Sequence, residues 1–141
     1  MQALTDEVYT RRMGGMSEDA AHVHALGRFL DAIPRVPAAA PQPSTALDHG
    51  KALFESTDVG CSGCHSGPHF TDNSTVNVGT GQAFQTPSLV GVAQRAPFMS
   101  NGCAATLADR FGPCGGGDQH GTTSQLSQSD IADLVLYLQS L

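Results

Sequence analysis

Tryptophan is absent from this 141-residue chain, and lysine occurs once, at Lys51. The formal net charge is −6, so no basic surface is available to hold nucleic acid or an anionic membrane. No apolar run approaches the roughly 18 to 20 residues that a membrane-spanning helix needs. The opening stretch, Met1-Gln2-Ala3-Leu4-Thr5-Asp6-Glu7, lacks the basic start and apolar centre of an export signal. Alternating runs of the kind that make strands are missing as well, which leaves an all-α fold class as the expectation. Glycine and proline are plentiful, at 16 and 8 residues, and predict long loops in one domain, or one domain with an appendage.

Two of the four cysteines stand in Cys61-Ser62-Gly63-Cys64-His65. Two cysteines three apart, with a histidine directly after the second, are what covalent haem attachment requires. Each thiol adds across one porphyrin vinyl group, and the imidazole that follows is placed under the iron as its proximal ligand. A structural zinc site needs a second tightly spaced pair, and Cys103 and Cys114 are too far apart in sequence to be one. A thioredoxin-like pair would sit on a βαβ pattern, which this chain lacks. The motif therefore predicts haem c. Its large apolar surface lets a loop-rich chain build a core around it. Because haem c is assembled outside the cytoplasm, the expected location is periplasmic or extracellular. The export signal has then been removed, or the chain is a segment of a longer exported protein. An oxidising compartment predicts a Cys103–Cys114 disulfide, with two free thiols as the alternative.

Helical periodicity is clearest in three places. Ser17 reads as an N-cap, and Ala20, Val23, Leu26, Leu30 and Ile33 make one apolar face that ends before Pro34. His22 and His24 are two apart, on different faces, and read as solvated positions rather than joint metal ligands. Residues 34–45 are a proline-rich, extended connector. A second helix spans residues 46–56, with Leu47, Leu53 and Phe54 apolar and Gly50 on the side of Phe54. The last helix is capped by Ser127 or Ser129 and carries Ile131, Leu134, Val135 and Leu138 on one face. Between them the segment 66–78 reads as turns, and Gly79-Thr80-Gly81 as a further turn. Pro87 at a helix N1 position predicts a short helix over 87–93. One helical turn is expected over 106–110, and the glycine-rich run 115–121 is read as irregular.

With those elements placed, residues 46–141 resemble class I c-type cytochromes. In that family a helix just before the haem motif crosses the C-terminal helix, and a glycine and an aromatic on the first meet a leucine and an aromatic on the second. Gly50 and Phe54 match the first pair, Leu134 and Tyr137 the second. The chain is more closely similar to a haem domain of the bacterial di-haem cytochrome c peroxidase superfamily. The carrying residues are Gly50-Lys51-Ala52-Leu53-Phe54, the stretch from Cys61 to Gly67-Pro68, and Phe84-Gln85-Thr86-Pro87-Ser88-Leu89-Val90-Gly91-Val92. They continue in Arg95-Ala96-Pro97-Phe98-Met99-Ser100-Asn101-Gly102 and Ala105-Thr106-Leu107. The resemblance implies a cytochrome c fold with long loops around one covalent haem, plus an extra N-terminal helix. Residues 1–33 then resemble the end of a preceding haem domain, 34–45 a linker, and 46–141 a mono-haem domain. Met13 or Met16 would sit where such a preceding domain places a distal ligand.

The other axial position on the iron has three readings: His120, Met99, or no protein ligand. Met99 is the sole methionine after the haem motif, but stands where the superfamily usually packs an apolar side chain on the haem. His120 lies in a glycine-rich loop, where the resembled domain places a distal methionine. His69 is too close in sequence to His65 to reach the opposite face, and His49 is read as exposed. Ser100 stands where peroxidase domains often carry a histidine, and serine does not do that acid–base work at neutral pH. The second nitrogen of His65 is expected to find an acceptor at Gly67-Pro68, and Arg95 to pair with a haem propionate. The implied function is electron transfer to a redox partner protein or a neighbouring haem domain. The alternatives are a peroxidase-type domain reducing hydrogen peroxide and a small-ligand haem sensor.

Overall fold

The computed structural model describes residues 7–34 and 44–141, so Met1–Asp6 and most of the proline-rich connector lie outside the described residues. The chain divides into two compact units, residues 1–35 and 36–141.

The first unit contains a π-helical segment, Glu7–Arg12, that the sequence did not announce, and helix α1, Ala20–Ala32. The cap of α1 is Asp19 rather than Ser17. Its carboxylate accepts a hydrogen bond from the His22 amide at 2.9 Å, which also holds that carboxyl below its ordinary pKa. The helix ends at Ile33, ahead of Pro34, as the proline demands. His22 is exposed and bonds to Glu18 at 3.0 Å. Of the apolar face, Val23 is buried, while Leu26, Leu30 and Ile33 remain about half exposed.

The second unit is built on two helices, α2 (Thr45–Glu55) and α3 (Gln128–Gln139). Ser44 caps α2 by accepting from the Leu47 amide at 3.2 Å. Ser127 and Asp130 close a reciprocal capping box at the start of α3. The helices pack tightly because Gly50 lies directly against the carbonyl of Asp133, where a Cβ would overlap it. One turn further on, the rings of Phe54 and Tyr137 meet with centroids 5.3 Å apart. Leu134, fully buried, fills the space between them and the loops. Burying a leucine of that kind contributes about 1.5–3 kcal/mol. Val92, Leu107 and Leu138 complete the core.

The loops differ from the sequence reading in three respects. A two-stranded antiparallel hairpin, β1 (Thr75–Asn77) and β2 (Ala83–Gln85), has its first strand in a stretch read as turns, with Val76 opposite Phe84. Three-residue strands are too short to display an alternating pattern, so a hairpin like this leaves no trace in sequence. The helix expected over 87–93 is only a 3-10 turn at Val92–Gln94. Gly91 just before it sits at φ +67, a left-handed conformation that stops an α-helix from running through. The glycine-rich run, read as irregular, makes 3-10 turns at Pro113–Gly115 and Gly117–His120, following one at Ala108–Phe111. Among the described residues, no helix is long and apolar enough to cross a membrane.

Candidate haem-binding site

The motif Cys61–His65 is folded by its own backbone. The Cys61 carbonyl accepts from the amides of both Cys64, at 3.3 Å, and His65, at 3.0 Å. That tight turn directs both thiols and the imidazole toward one cavity of about 530 Å³, within the range of sites that hold a drug-sized or larger ligand. Burial pushes the Cys61 thiol up from its ordinary pKa.

The opposite wall is made by the glycine-rich loop, and its conformation follows from three anchors. Gly116, at φ +84, lies so close to the Val78 carbonyl that no side chain fits. The Asp118 carboxylate accepts from the amides of Thr123 and Ser124, each at 2.9 Å, and from the Ser124 hydroxyl at 2.6 Å. The Thr122 amide donates to the Val59 carbonyl at 2.9 Å. His120, held between these anchors, turns its ring toward His65, and the two ring centroids stand 6.4 Å apart.

The remaining hydrogen bonds of these two rings decide what they offer each other. Nδ1 of His65 lies 3.1 Å from the Phe70 carbonyl, and Nδ1 of His120 lies 3.3 Å from the Gly115 carbonyl. A carbonyl only accepts, so each Nδ1 carries the proton, and the Pro87 backbone is a further hydrogen-bond neighbour of the His65 ring. Both imidazoles are held neutral. Burial lowers the pKa of His65, and burial, Arg110 and His65 together lower that of His120 to about 4. Two neutral imidazoles, each with its second nitrogen tied to backbone, are a ready pair of metal ligands.

The other residues expected at the site are distributed as follows. Cys61, Cys64, Arg95, Met99 and His120 all line the cavity, whereas Pro68 is exposed and does not. The acceptor for His65 is Phe70, not Gly67-Pro68. The Gly67 carbonyl already accepts from the Phe70 amide at 3.1 Å, and the turn so formed brings the Phe70 carbonyl back to the ring. Arg95, largely exposed, donates to the Ser88 carbonyl. Met99 has a left-handed backbone, φ +67, unusual for a residue with a side chain. His69 is outside the cavity lining. His49 is engaged on α3, 2.8 Å from the Asp133 carboxylate. Cys103 and Cys114 meet sulfur to sulfur with Cα atoms 6.0 Å apart, inside the span of a disulfide. Sequence reasoning missed Arg110, Val76 and Thr80 in the cavity wall. All three lie in loops or in the short hairpin, where no periodicity marks them.

The sequence model of cytochrome c matches residues 47–141, two thirds of the chain and the part that holds every one of these groups. The chain belongs to the cytochrome c family. A cytochrome c domain carries covalently bound haem c and serves haem-based electron transfer. A chain of hydrazine synthase from Kuenenia stuttgartiensis, solved under 20 bar of xenon, has the same fold with a TM-score of 0.81 at 22% identity. The alignment covers 98% of this chain and 60% of that one. No curated protein gives a significant match.

The residues fit the haem of a cytochrome c domain. Both cysteines of the motif and the two neutral imidazoles, their ring centroids 6.4 Å apart, line one cavity and would hold such a group there. Phe84, a large apolar side chain left 41% exposed, lines the same cavity and gains a partner when a porphyrin fills it.

Proposed function

We propose that this cytochrome c domain passes single electrons through one haem c, held by thioethers to Cys61 and Cys64 and ligated by His65 and His120. When bound, the haem supplies the one-electron couple. The protein's residues do the rest. Phe70 and Gly115 fix the tautomer and aim of the two imidazoles through their carbonyls. Phe84, Val76 and Leu107 line the cavity and exclude water from it. The Cys103–Cys114 pair shortens the loop that carries His120 toward the site, and we infer that it is a disulfide. Arg95, which lines the cavity, is taken as the partner of a propionate.

The observation that carries this reading is the approach of His65 and His120 to 6.4 Å within one cavity, each with Nδ1 on a backbone carbonyl. A site ligated on both sides leaves no position for substrate, which favours electron transfer over peroxide reduction or small-ligand sensing. In keeping with the location where haem c is attached, we infer an exported protein. Residues 1–33, 34–45 and 46–141 are taken as the end of a preceding haem domain, a linker and the mono-haem domain. The electron partner is then that neighbouring domain or a separate redox protein. The match to only 60% of the hydrazine synthase chain accords with a larger parent.

The test is optical spectroscopy of the haem-loaded protein in both oxidation states. Low-spin, six-coordinate spectra are expected, unchanged in Met99→Ala and converted to high spin in His120→Ala. A low-spin spectrum that survives His120→Ala overturns the ligand assignment, and a high-spin ferric parent overturns the electron-transfer reading.

A further inference from the structure

We propose that Arg110 is a positive charge built into the cavity wall that raises the reduction potential of the haem between His65 and His120, a proposal that rests on the ligation reading above.

Arg110 belongs to the short turn Ala108–Phe111, and its guanidinium lies over the ring of Phe111, 4.6 Å from the centroid. Its side chain lines the same cavity as the two histidines. The geometry at Gly121 fixes its place more closely. A Cβ on that residue would stand 3.8 Å from Cys61 Sγ and 3.9 Å from Arg110 Nη2. The guanidinium thus sits beside the first haem-bonding cysteine and the residue that follows His120.

What surrounds this charge is as informative as its position. Among the described residues, no carboxylate forms an ion pair with Arg110. The two acids nearest in sequence around the loop are committed elsewhere: Asp109 to Thr106, Asp118 to Thr123 and Ser124. Burial lowers the pKa of Arg110, yet a guanidinium stays charged across the physiological range. The Phe111 ring face offers partial compensation. Among the described residues, a cation so placed, lining the cavity with the two imidazoles, has no carboxylate partner.

Its effect on a bound haem follows from Coulomb's law. Ferric haem carries one more positive charge than ferrous, and a fixed cation in the low-dielectric wall opposes that extra charge. Arg110 therefore favours the reduced state. At an effective dielectric constant near 20 and a separation of about 12 Å, the shift in the reduction equilibrium is on the order of tenfold, equal to about 59 mV for a one-electron couple.

The experiment is potentiometric titration of the haem-loaded protein and its R110Q, R110M and R110K variants, with optical spectra recorded at each step. The midpoint is expected to fall by about that amount in R110Q and to stay near the parent value in R110K, all remaining low-spin. R110M keeps an apolar stem over Phe111 and is read in the same way if R110Q fails to accumulate. An unchanged midpoint in low-spin R110Q or R110M overturns the proposal. So does an equal fall in R110K and R110Q, which assigns the effect to guanidinium geometry instead of charge. Failure of the ligation reading looks different, because the parent would then lack the low-spin signature or keep it unchanged in His120→Ala.

Discussion

Gly116 lies against the Val78 carbonyl with no room for a single carbon atom between them. This backbone-to-backbone contact joins the hairpin to the loop of His120, and it sets where that imidazole stands. Gly116→Ala adds a Cβ where φ is +84 and the carbonyl blocks it. The variant is expected to lose about 1–3 kcal/mol of stability and to show a mixed high-spin and low-spin ferric spectrum. Urea unfolding and optical absorption read the two effects, and an unaltered spectrum would show that the loop does not position the ligand.

Gly50 makes the corresponding contact between α2 and α3, against the Asp133 carbonyl. Gly50→Ala forces the helices apart and disturbs the packing of Phe54 on Tyr137. Intrinsic helix propensity favours alanine over glycine by about 1 kcal/mol, so any net loss is a lower bound on the cost of the close approach. A net destabilisation of about 1–3 kcal/mol is expected in urea titration of the haem-loaded protein. A stabilised variant would refute the contact.

The haem-free chain should respond to acid through its histidines. His120 titrates near 4 when folded and near 6.5 when unfolded, and His65 is shifted in the same direction. The unfolded chain therefore binds more protons between those values, and stability falls as pH drops from 6.5 toward 4. The slope reaches about 1.4 kcal/mol per pH unit for His120, and His65 acts in the same direction. Above pH 6.5 this contribution is complete and the profile is flat. Measuring urea midpoints across pH 4 to 7 tests it, and His120→Asn should lessen the slope if the assignment is right.

Cys103 and Cys114 enclose a short loop of sequence separation 11. Closing a loop of roughly that length contributes about 3 kcal/mol by chain entropy. The Cys103→Ser, Cys114→Ser double variant is expected to lose about that much stability and to hold His120 less firmly. Thiol titration of the denatured parent, finding two free sulfhydryls here, would remove the bridge from the account.

Much of the fold was legible because its signals are local. The end of α1 at Pro34, the glycine–aromatic face of α2 and the Ser127 cap of α3 each depend on residues within a turn or two. Where the sequence reading missed, the deciding contact was remote or too short to repeat. Asp19 displaced Ser17 as a cap within the same local signal, but the hairpin has only three residues per strand. The acceptor for His65 moved from Gly67-Pro68 to Phe70 because a turn inverted the chain, which composition does not reveal.

The sequence by itself pointed to haem c and to His65 as the proposed first ligand, since thioether attachment and proximal ligation need only Cys61, Cys64 and His65 at fixed spacing. It left the second axial partner among His120, Met99 and none. Only the tertiary structure brought His120 to face His65 across 55 positions of chain, and brought Arg110 into the same cavity. The physical reason is that glycine-rich loops have no period to read. Their course is decided by where backbone meets backbone, at Gly116 and Val78, and by the hydrogen bonds that close each turn.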